Sequence, residues 1–333
     1  MAATIFSFGF RILFGALAAA GLLALLLAGM IAWPLDPLPE LKSISNARKS
    51  QDFSALPATA RFQARDGTAL AYRHYPAIAP TVNRIAVYVH GSSGSSRGAG
   101  HMLSMALAAR GVETYAVDIR GHGESGSRGD IGYLGQLEDD LADLVAQIRK
   151  TSPAAPLTLM GHSSGGGFVL RMAGSKIQDL FARTVLLAPY LGYAAPSSRP
   201  NSGGWANADI PRFLALSLLR AAGISLGESL PAIVFAVPPN SSSVLTATYS
   251  YRLMRDFAAS RDFRTDLAAA RHPITVISGA ADELIVSDKF GEIFGSRAVV
   301  RIIDGVDHMG IVGDPRAVSV IADDVAKFEV SSR

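Results

Sequence analysis

A serine in a glycine-rich turn is the first residue of the sequence with the setting of a nucleophile. Ser163 lies in the motif GHSSG at residues 161–165, which matches the pattern G-x-S-x-G. The apolar run LTLM precedes the motif, and a pattern typical of a helix follows it at residues 164–173. Such a turn between strand and helix exposes the hydroxyl, and the N–H groups at the helix start face developing negative charge. The sequence therefore predicts covalent catalysis by Ser163, with an ordinary serine–glycine loop as the alternative.

The stretch around Ser163 resembles the α/β-hydrolase fold family, most closely its group of monoglyceride lipases, lysophospholipases and serine aminopeptidases. The resemblance extends from about residue 60 to the C-terminus. Four further motifs carry it: HGS at residues 90–92, D-x-R-G-H-G-x-S at 118–125, G-x-x-D at 279–282 and G-x-x-H at 305–308. The resemblance implies a serine hydrolase with an eight-stranded, mostly parallel sheet.

The same resemblance assigns the other two members of a catalytic triad. The G-x-x-D motif supplies Asp282 as the acid, and the G-x-x-H motif supplies His308 as the base. The chain order serine, aspartate, histidine is the order that α/β-hydrolases use. Glu283 is adjacent and equally acidic, so it stays an alternative to Asp282, although the length of the turn after the strand favours Asp282. Asp307 is interpreted as a loop acid, because the side chain next to a histidine seldom folds back onto its imidazole.

Two backbone N–H groups are expected to bind the oxyanion. In the family they belong to the residue after His-Gly and to the residue after the nucleophile, which are Ser92 and Ser164 in this sequence. Residues 121–126 also spell G-x-G-x-x-G, the pattern of a dinucleotide-binding turn. That site needs a helix to begin there, whereas SRGD follows. We therefore expect no cofactor, and we expect this stretch to support the site from beneath.

The elements that must position these residues follow from the alternation of short β-rich runs and helical patterns. Alternation of this kind is typical of a parallel sheet with helices on both faces. The predicted fold class is α/β, an α/β-hydrolase fold that occupies residues 59–333. Strands are predicted at residues 59–65, 69–74, 85–90, 113–119, 157–160, 184–187, 274–278 and 299–303, and helices at 101–110, 137–150, 164–173 and 315–328.

One block, at about residues 191–264, lacks a strand of the core type and is rich in proline and serine. We interpret it as an inserted helical lid at the carboxyl edge of the sheet, where ligands bind in open α/β folds. The apolar residues around Phe213, at 210–219, and the run LPAIVFAV at 230–237 are expected to line an acyl pocket. The alternative is that they only close a core.

The N-terminal residues 12–33 form an uncharged apolar run, and about 20 such residues span a bilayer as a helix. We therefore predict a transmembrane anchor at residues 1–33 and a proline-rich linker at 34–58, with a cleaved signal peptide as the alternative. Arg11 directly precedes the run, whereas the basic residues after it are diluted by acidic ones. This asymmetry slightly favours a single-pass protein of a bacterial inner membrane with its catalytic domain outside the cytoplasm.

Composition excludes several other classes of protein. There are 31 basic and 28 acidic residues and no long basic run, so we expect no nucleic-acid partner. No cysteine is present, and no cluster of histidine and acidic residues has the spacing of metal ligands, so no metal is expected. The predicted activity is hydrolysis of carboxylic esters, with lysophospholipid or monoacylglycerol as the preferred substrate and the oligomeric state left open. The alternatives are a non-catalytic binding protein of the same fold, and an acyltransferase or serine aminopeptidase with the same triad.

Overall fold

The computed structural model of the chain describes residues 2–49, 52–78, 83–98, 100–241 and 245–328. The predicted anchor, linker and catalytic domain each include a few residues outside these ranges, namely 1, 50–51, 79–82, 99, 242–244 and 329–333.

A central sheet of eight strands confirms the predicted fold class, and each strand begins and ends within two residues of its predicted bounds. Three shorter strands lie in the insertion. The central strands are β1 (Thr59–Gln63), β2 (Ala69–Tyr75), β3 (Arg84–Val89), β4 (Val112–Val117), β5 (Leu157–His162), β6 (Arg183–Leu187), β10 (Ile274–Gly279) and β11 (Val299–Ile303); the insertion holds β7 (Ala206–Ala208), β8 (Pro231–Phe235) and β9 (Thr248–Ser250).

The spatial order of the central sheet is β1-β2-β4-β3-β5-β6-β10-β11. Strand β2 is antiparallel to both of its neighbours, and every other neighbouring pair is parallel. All residues of β5, β6 and β10 are buried, because helices cover both faces of the sheet. The carboxyl ends of the parallel strands therefore meet at one edge of the sheet.

Side chains that alternate along each strand form two separate hydrophobic cores. On β3, Val87 and Val89 belong to one core, and Ala86 and Tyr88 belong to the other. The helices are α1 (Ala2–Ile31), α2 (Lys42–Lys49), α3 (Gly100–Ala108), α4 (Gln136–Arg149), α5 (Ser164–Ala173), α6 (Ile210–Ala221), α7 (Tyr251–Asp256), α8 (Phe263–Ala269), α9 (Phe290–Phe294), α10 (Gly310–Gly313) and α11 (Pro315–Ala326). The first core packs against α4, α5 and α9, and the second against α3, α10 and α11.

The insertion between β6 and β10 is not wholly helical, which differs from the prediction. Its apolar run contributes β8, which pairs antiparallel with β7 on one side and β9 on the other. A short continuous apolar run is compatible with either a buried helix or a buried strand, so periodicity could not separate the two. The run forms a strand because it pairs with β7 and β9, which lie on its two sides.

Helix α1 lies against helix α6 of the insertion. The Arg212 guanidinium donates hydrogen bonds to the carbonyls of Ile31, at 2.8 Å, and Trp33, at 2.5 Å. Within the described part of the chain, Leu13–Ile31 is the one segment long and apolar enough to cross a membrane, and a signal sequence has the same features. The two helices enclose an apolar groove, which is lined by Leu25, Leu26, Gly29, Met30, Trp33, Ile210, Pro211 and Leu214.

Helix α2 lies within residues 34–58, for which the sequence predicted only a linker. Leu41 and Ile44 pack against the first core, and the Leu41 N–H donates to the Ala236 carbonyl of the insertion at 3.0 Å. A helix of eight residues is too short to be stable alone, and eight residues are too few for a helical period to stand out in the sequence. These tertiary contacts hold it in place, and they also place it beside the site described next.

Candidate active site

Ser163 occupies a strained turn between β5 and α5. Its backbone has φ 55° and ψ −120°, a combination of angles that residues other than glycine rarely adopt. Glycine is required on either side: a Cβ at Gly161 would lie 2.2 Å from the Gly165 carbonyl oxygen, and one at Gly165 would lie 2.3 Å from the His90 carbonyl oxygen. The sequence folds this way because these two glycines let β5, α5 and the end of β3 approach each other closely.

The predicted triad residues are brought together by the turns that follow β5, β10 and β11. The Ser163 hydroxyl is 3.0 Å from His308 Nε2, and His308 Nδ1 is 2.8 Å from Asp282 Oδ2. All three side chains are buried. The Asp282 carboxylate can only accept a hydrogen bond, so Nδ1 carries the imidazole hydrogen and Nε2 is free to take a proton from Ser163.

The Asp282 carboxylate is held in its charged form. Its Oδ1 accepts the N–H groups of Leu284, at 2.8 Å, and Ile285, at 2.7 Å. Burial raises the pKa of Asp282, but the His308 imidazole and these hydrogen bonds outweigh burial and hold the pKa below its ordinary value. Asp282 is therefore ionised near neutral pH and can stabilise an imidazolium.

Glu283, the alternative acid, contacts a different atom of the same histidine. Its Oε2 accepts the backbone N–H of His308 at 3.0 Å, whereas Asp282 accepts the ring N–H. The Asp307 side chain accepts the Gly310 N–H at 2.6 Å, from the loop that precedes α10. The geometry thus places Asp282 where an acid of the triad must lie, and it places Glu283 where it can fix the loop that carries His308.

His162 is a second histidine at the site, and the sequence motifs assigned it no role. Its ring lies 4.8 Å from the His308 ring, and its Nε2 is 3.1 Å from the His308 carbonyl oxygen. Burial, together with the neighbouring His308, lowers the pKa of His162 to about 3. The ring is therefore neutral, and it contacts both the ring and the backbone of His308. Its position between Gly161 and Ser163 in the GHSSG motif was the only signal in the sequence.

Ser92 and Ser164, the predicted oxyanion donors, both lie close to Ser163: Ser92 lines the same cavity as Ser163, and Ser164 is the next residue of the chain. A Cβ at Gly91 would be 3.2 Å from the Ser163 Cβ, so the loop after β3 lies directly against the nucleophile. Ser164 is the first residue of α5, where N–H groups have no partner inside the helix. Neither N–H has a hydrogen-bond partner among the residues that the structure describes. Both are thus available to a ligand.

The loop at residues 118–125 supports the site and does not begin a helix. The Asp118 carboxylate accepts the N–H of Ser96, at 2.6 Å, and of Glu124, at 2.8 Å, so it joins the loops after β3 and β4. The Arg120 guanidinium pairs in two parallel hydrogen bonds with the buried carboxylate of Asp140. The next helix, α4, begins only at Gln136. This arrangement differs from a dinucleotide-binding turn.

A cavity of about 430 Å³ opens above Ser163 and His308. The insertion contributes Trp205, Ala236, Pro238 and Leu245 to its walls. A further wall comes from the predicted linker, which contributes the residues Ile44, Ser45, Lys49 and Phe53.

The expectation that α6 lines this cavity is wrong. Phe213 packs against Tyr251, with ring centroids 5.5 Å apart, in a small cluster outside the cavity. Ile210, Leu214 and Leu218 on the same helix are exposed. Of the apolar run at 230–237, Ala236 reaches the cavity. Helix α6 is amphipathic, as the sequence pattern indicated. Its apolar residues contact Tyr251 and line the groove beside α1, and they do not reach the cavity.

Comparison with known proteins identifies what this chain is similar to. The family model described as serine aminopeptidase, S33, matches residues 80–314. The chain is 32% identical over 106 residues to a monoacylglycerol lipase of Mycolicibacterium smegmatis, an alignment that covers 32% of this chain and 37% of the relative. It is 27% identical over 110 residues to a monoglyceride lipase homolog of monkeypox virus, covering 33% of this chain and 40% of the relative. The matched part thus spans about two fifths of each of these curated relatives.

Solved structures show the same fold at low sequence identity. A soluble variant of monoglyceride lipase from Saccharomyces cerevisiae, in complex with a substrate analog, superposes with a TM-score of 0.59 at 16% identity and covers 84% of this chain and 96% of that one. The monoacylglycerol lipase of Paleococcus ferrophilus gives 0.52 at 18% identity, with 77% and 98% covered. At these identities the likeness concerns the fold.

Proposed function

Because the chain belongs to the serine aminopeptidase S33 family of hydrolases, we propose that it hydrolyses carboxylic esters with Ser163 as nucleophile, His308 as base and Asp282 as acid. The observation that carries the proposal is the hydrogen-bonded series from Asp282 through His308 to Ser163 at the floor of an apolar cavity. A strained serine with an imidazole nitrogen within hydrogen-bond distance is the arrangement that activates a hydroxyl for attack.

The geometry suggests each proton transfer. The Ser163 Oγ attacks the ester carbonyl carbon while His308 Nε2 takes the hydroxyl proton, and the carbonyl electron pair becomes the oxyanion. The N–H groups of Ser92 and Ser164 stabilise that oxyanion. His308 then gives its proton to the departing alkoxide, which leaves an acyl-enzyme. Water attacks this ester by the same route, His308 takes and returns the proton, and Ser163 leaves as the free hydroxyl.

The substrate class follows from the cavity. Its walls are mainly apolar, so an acyl chain gains about 0.8 kcal/mol for each methylene group that it buries there. Relatives named as monoacylglycerol lipases support a lipid ester, and we place monoacylglycerols and lysophospholipids ahead of small esters and peptides. Acyl transfer to an alcohol in place of water would use the same three residues.

We also propose that residues 12–33 anchor the enzyme as a single transmembrane span of a bacterial inner membrane, with the catalytic domain outside the cytoplasm. The apolar length of Leu13–Ile31 supports a span, and its contact with α6 places the insertion beside it. Residues 1–33 then form the anchor, 34–58 the connecting segment and 59–333 the catalytic domain. Extraction with alkaline carbonate tests this: the protein should stay with the membrane, and release or a mature N-terminus beyond Ala32 would contradict it.

The test of the activity combines labelling with kinetics. A fluorophosphonate probe should label the wild-type enzyme, and rates on p-nitrophenyl esters should rise from acetate to decanoate. Ser163→Ala should lose both labelling and hydrolysis. Ser175→Ala is the matched control, because its hydroxyl accepts a local N–H in the turn after α5, outside the cavity. Labelling that survives in Ser163→Ala would overturn the assignment of the nucleophile.

A further inference from the structure

We propose that Tyr249, in strand β9 of the insertion, is a positioning residue that holds the loop carrying the Ser92 N–H in the conformation needed to bind the oxyanion. The inference rests on the proposed function, because the orientation of Ser92 matters to catalysis only if an oxyanion forms at Ser163. It gives the insertion a part in catalysis, in addition to its part in forming the cavity.

The insertion holds Ser93, the neighbour of the proposed donor, by both of its backbone groups. The Ser93 N–H donates to the Tyr249 hydroxyl oxygen at 2.6 Å. The Ser93 carbonyl accepts the Thr246 N–H at 3.1 Å. Ser93 and Tyr249 are almost completely buried, so water cannot replace these partners.

Ser93 needs such partners because its backbone is strained. Its φ of 64° lies in the left-handed region, which costs a residue other than glycine of the order of 1–3 kcal/mol. Rotating the peptide plane between Ser92 and Ser93 would relieve this strain. It would also turn the Ser92 carbonyl and the Ser93 N–H, and would thereby shift the loop at Ser92. The hydrogen bond to Tyr249 opposes that rotation, since the rotated N–H would be buried without a partner.

Tyr249 is itself fixed from the other side. Its hydroxyl lies 2.6 Å from His122 Nε2, while His122 Nδ1 lies 3.4 Å from the Arg120 carbonyl oxygen. A carbonyl can only accept, so Nδ1 carries the ring hydrogen and the Tyr249 hydroxyl donates to Nε2. The ring packs edge-on against Phe235, with centroids 4.6 Å apart. The hydroxyl therefore has one geometry in which it can serve both partners.

A second residue of the insertion contacts the proposed donor directly. The Trp205 indole N–H donates to the Ser92 hydroxyl oxygen at 2.8 Å. Trp205 precedes β7, and Tyr249 lies in β9, so two edges of the small sheet β7-β8-β9 hold adjacent residues of the loop. Ser92 and Ser93 are thus connected to the insertion as a unit.

The test compares Tyr249→Phe with Tyr251→Phe. Tyr251 is the matched control, because it is also a buried tyrosine of the insertion, but its hydroxyl contacts Ser217 and Arg255 outside the cavity. Tyr249→Phe should lower kcat by about tenfold to a hundredfold, less than the loss of an oxyanion donor itself, with KM changed by less than about twofold. Tyr251→Phe should change both by less than about twofold. Rates are normalised to active sites counted with the fluorophosphonate.

Binding of two inhibitors separates positioning from a general loss of structure. An alkyl boronic acid forms a tetrahedral adduct with an anionic oxygen, whereas the matching fatty alcohol only fills the cavity. Tyr249→Phe should weaken the boronic acid in proportion to kcat and leave the affinity for the alcohol unchanged. A dissociation constant does not depend on the active fraction, so this measurement holds even if the variant is less stable.

The outcomes distinguish this inference from the proposed function. If wild-type enzyme hydrolyses esters, Ser163→Ala is inactive and Tyr249→Phe behaves like Tyr251→Phe, the positioning role is wrong while the function stands. If Tyr249→Phe weakens the boronic acid and the alcohol equally, Tyr249 merely shapes the cavity, and the inference is again wrong. If wild-type enzyme neither hydrolyses esters nor reacts with the probe, the proposed function itself fails.

Discussion

The central sheet and the two segments added to it contribute differently to the candidate site. The sheet supplies the proposed reacting groups, since Ser163, Asp282 and His308 follow β5, β10 and β11. The insertion and residues 34–58 supply much of the cavity above them, through side chains such as Trp205, Leu245 and Ile44. The positions of the three proposed catalytic residues therefore depend on strand ends and glycine turns, whereas the shape of the cavity depends on packing between segments distant in sequence.

The largest effect is expected from the sheet's own residues. Asp282→Asn should lower kcat by about 10⁴-fold on a short ester, because the amide favours the wrong tautomer of His308. Glu283→Gln should cost less than about tenfold, since an amide oxygen can still accept the His308 backbone N–H. Steady-state kinetics on p-nitrophenyl acetate measure both. The opposite ranking would show that Glu283 is the acid.

A smaller and selective effect is expected from a cavity residue of the insertion. Leu245→Asp should reduce kcat/KM for p-nitrophenyl decanoate by about thirtyfold, because an acyl chain would have to pack against a carboxylate. The acetate ester should be affected far less. Leu214→Asp is the control, because Leu214 is 48% exposed on α6 and lies outside the cavity. If kcat/KM changes with acyl chain length in the same way in both variants, the insertion does not select the acyl chain.

The smallest effect is expected from removing the part of the cavity wall that residues before Asp52 form. A protein that begins at Pro34 keeps α2, whereas one that begins at Asp52 loses Ile44, Ser45 and Lys49 from the cavity. The shorter protein should lose about tenfold in kcat/KM for the decanoate ester, equivalent to about two methylene groups left in water. Activity on the acetate ester should differ by less than about threefold. Equal chain-length profiles would show that residues 34–51 are only a connector.

The comparison also explains what the sequence could predict. The family match confirms the resemblance that the motifs carried, and the strands fall close to their predicted bounds because apolar runs between glycine turns are local signals. The structure brings Ser163, His308 and Asp282 together, and their catalytic roles stay predictions. Each lies within a few residues of a glycine turn, which is why a short motif was enough to find it.

The parts that the sequence did not predict depend on distant partners. Helix α2 is stabilised by contacts with the core and the insertion, and its eight residues are too few for a helical period to stand out in the sequence. Strand β8 was ambiguous until its partners were known. Phe213 was assigned to the wrong surface, because an amphipathic pattern shows that a face is covered and does not show by what.

The backbone of Ser163 has a consequence for stability. At φ 55° and ψ −120° a glycine is unstrained, whereas serine carries a conformational cost of the order of 1–3 kcal/mol. Ser163→Gly should therefore melt at a higher temperature than the wild-type protein while having no nucleophile. The proposed nucleophile is thus a strained position in the native state, where stability is given up for activity. The fully buried strand β5, which directly precedes it, supplies stability that offsets this strain.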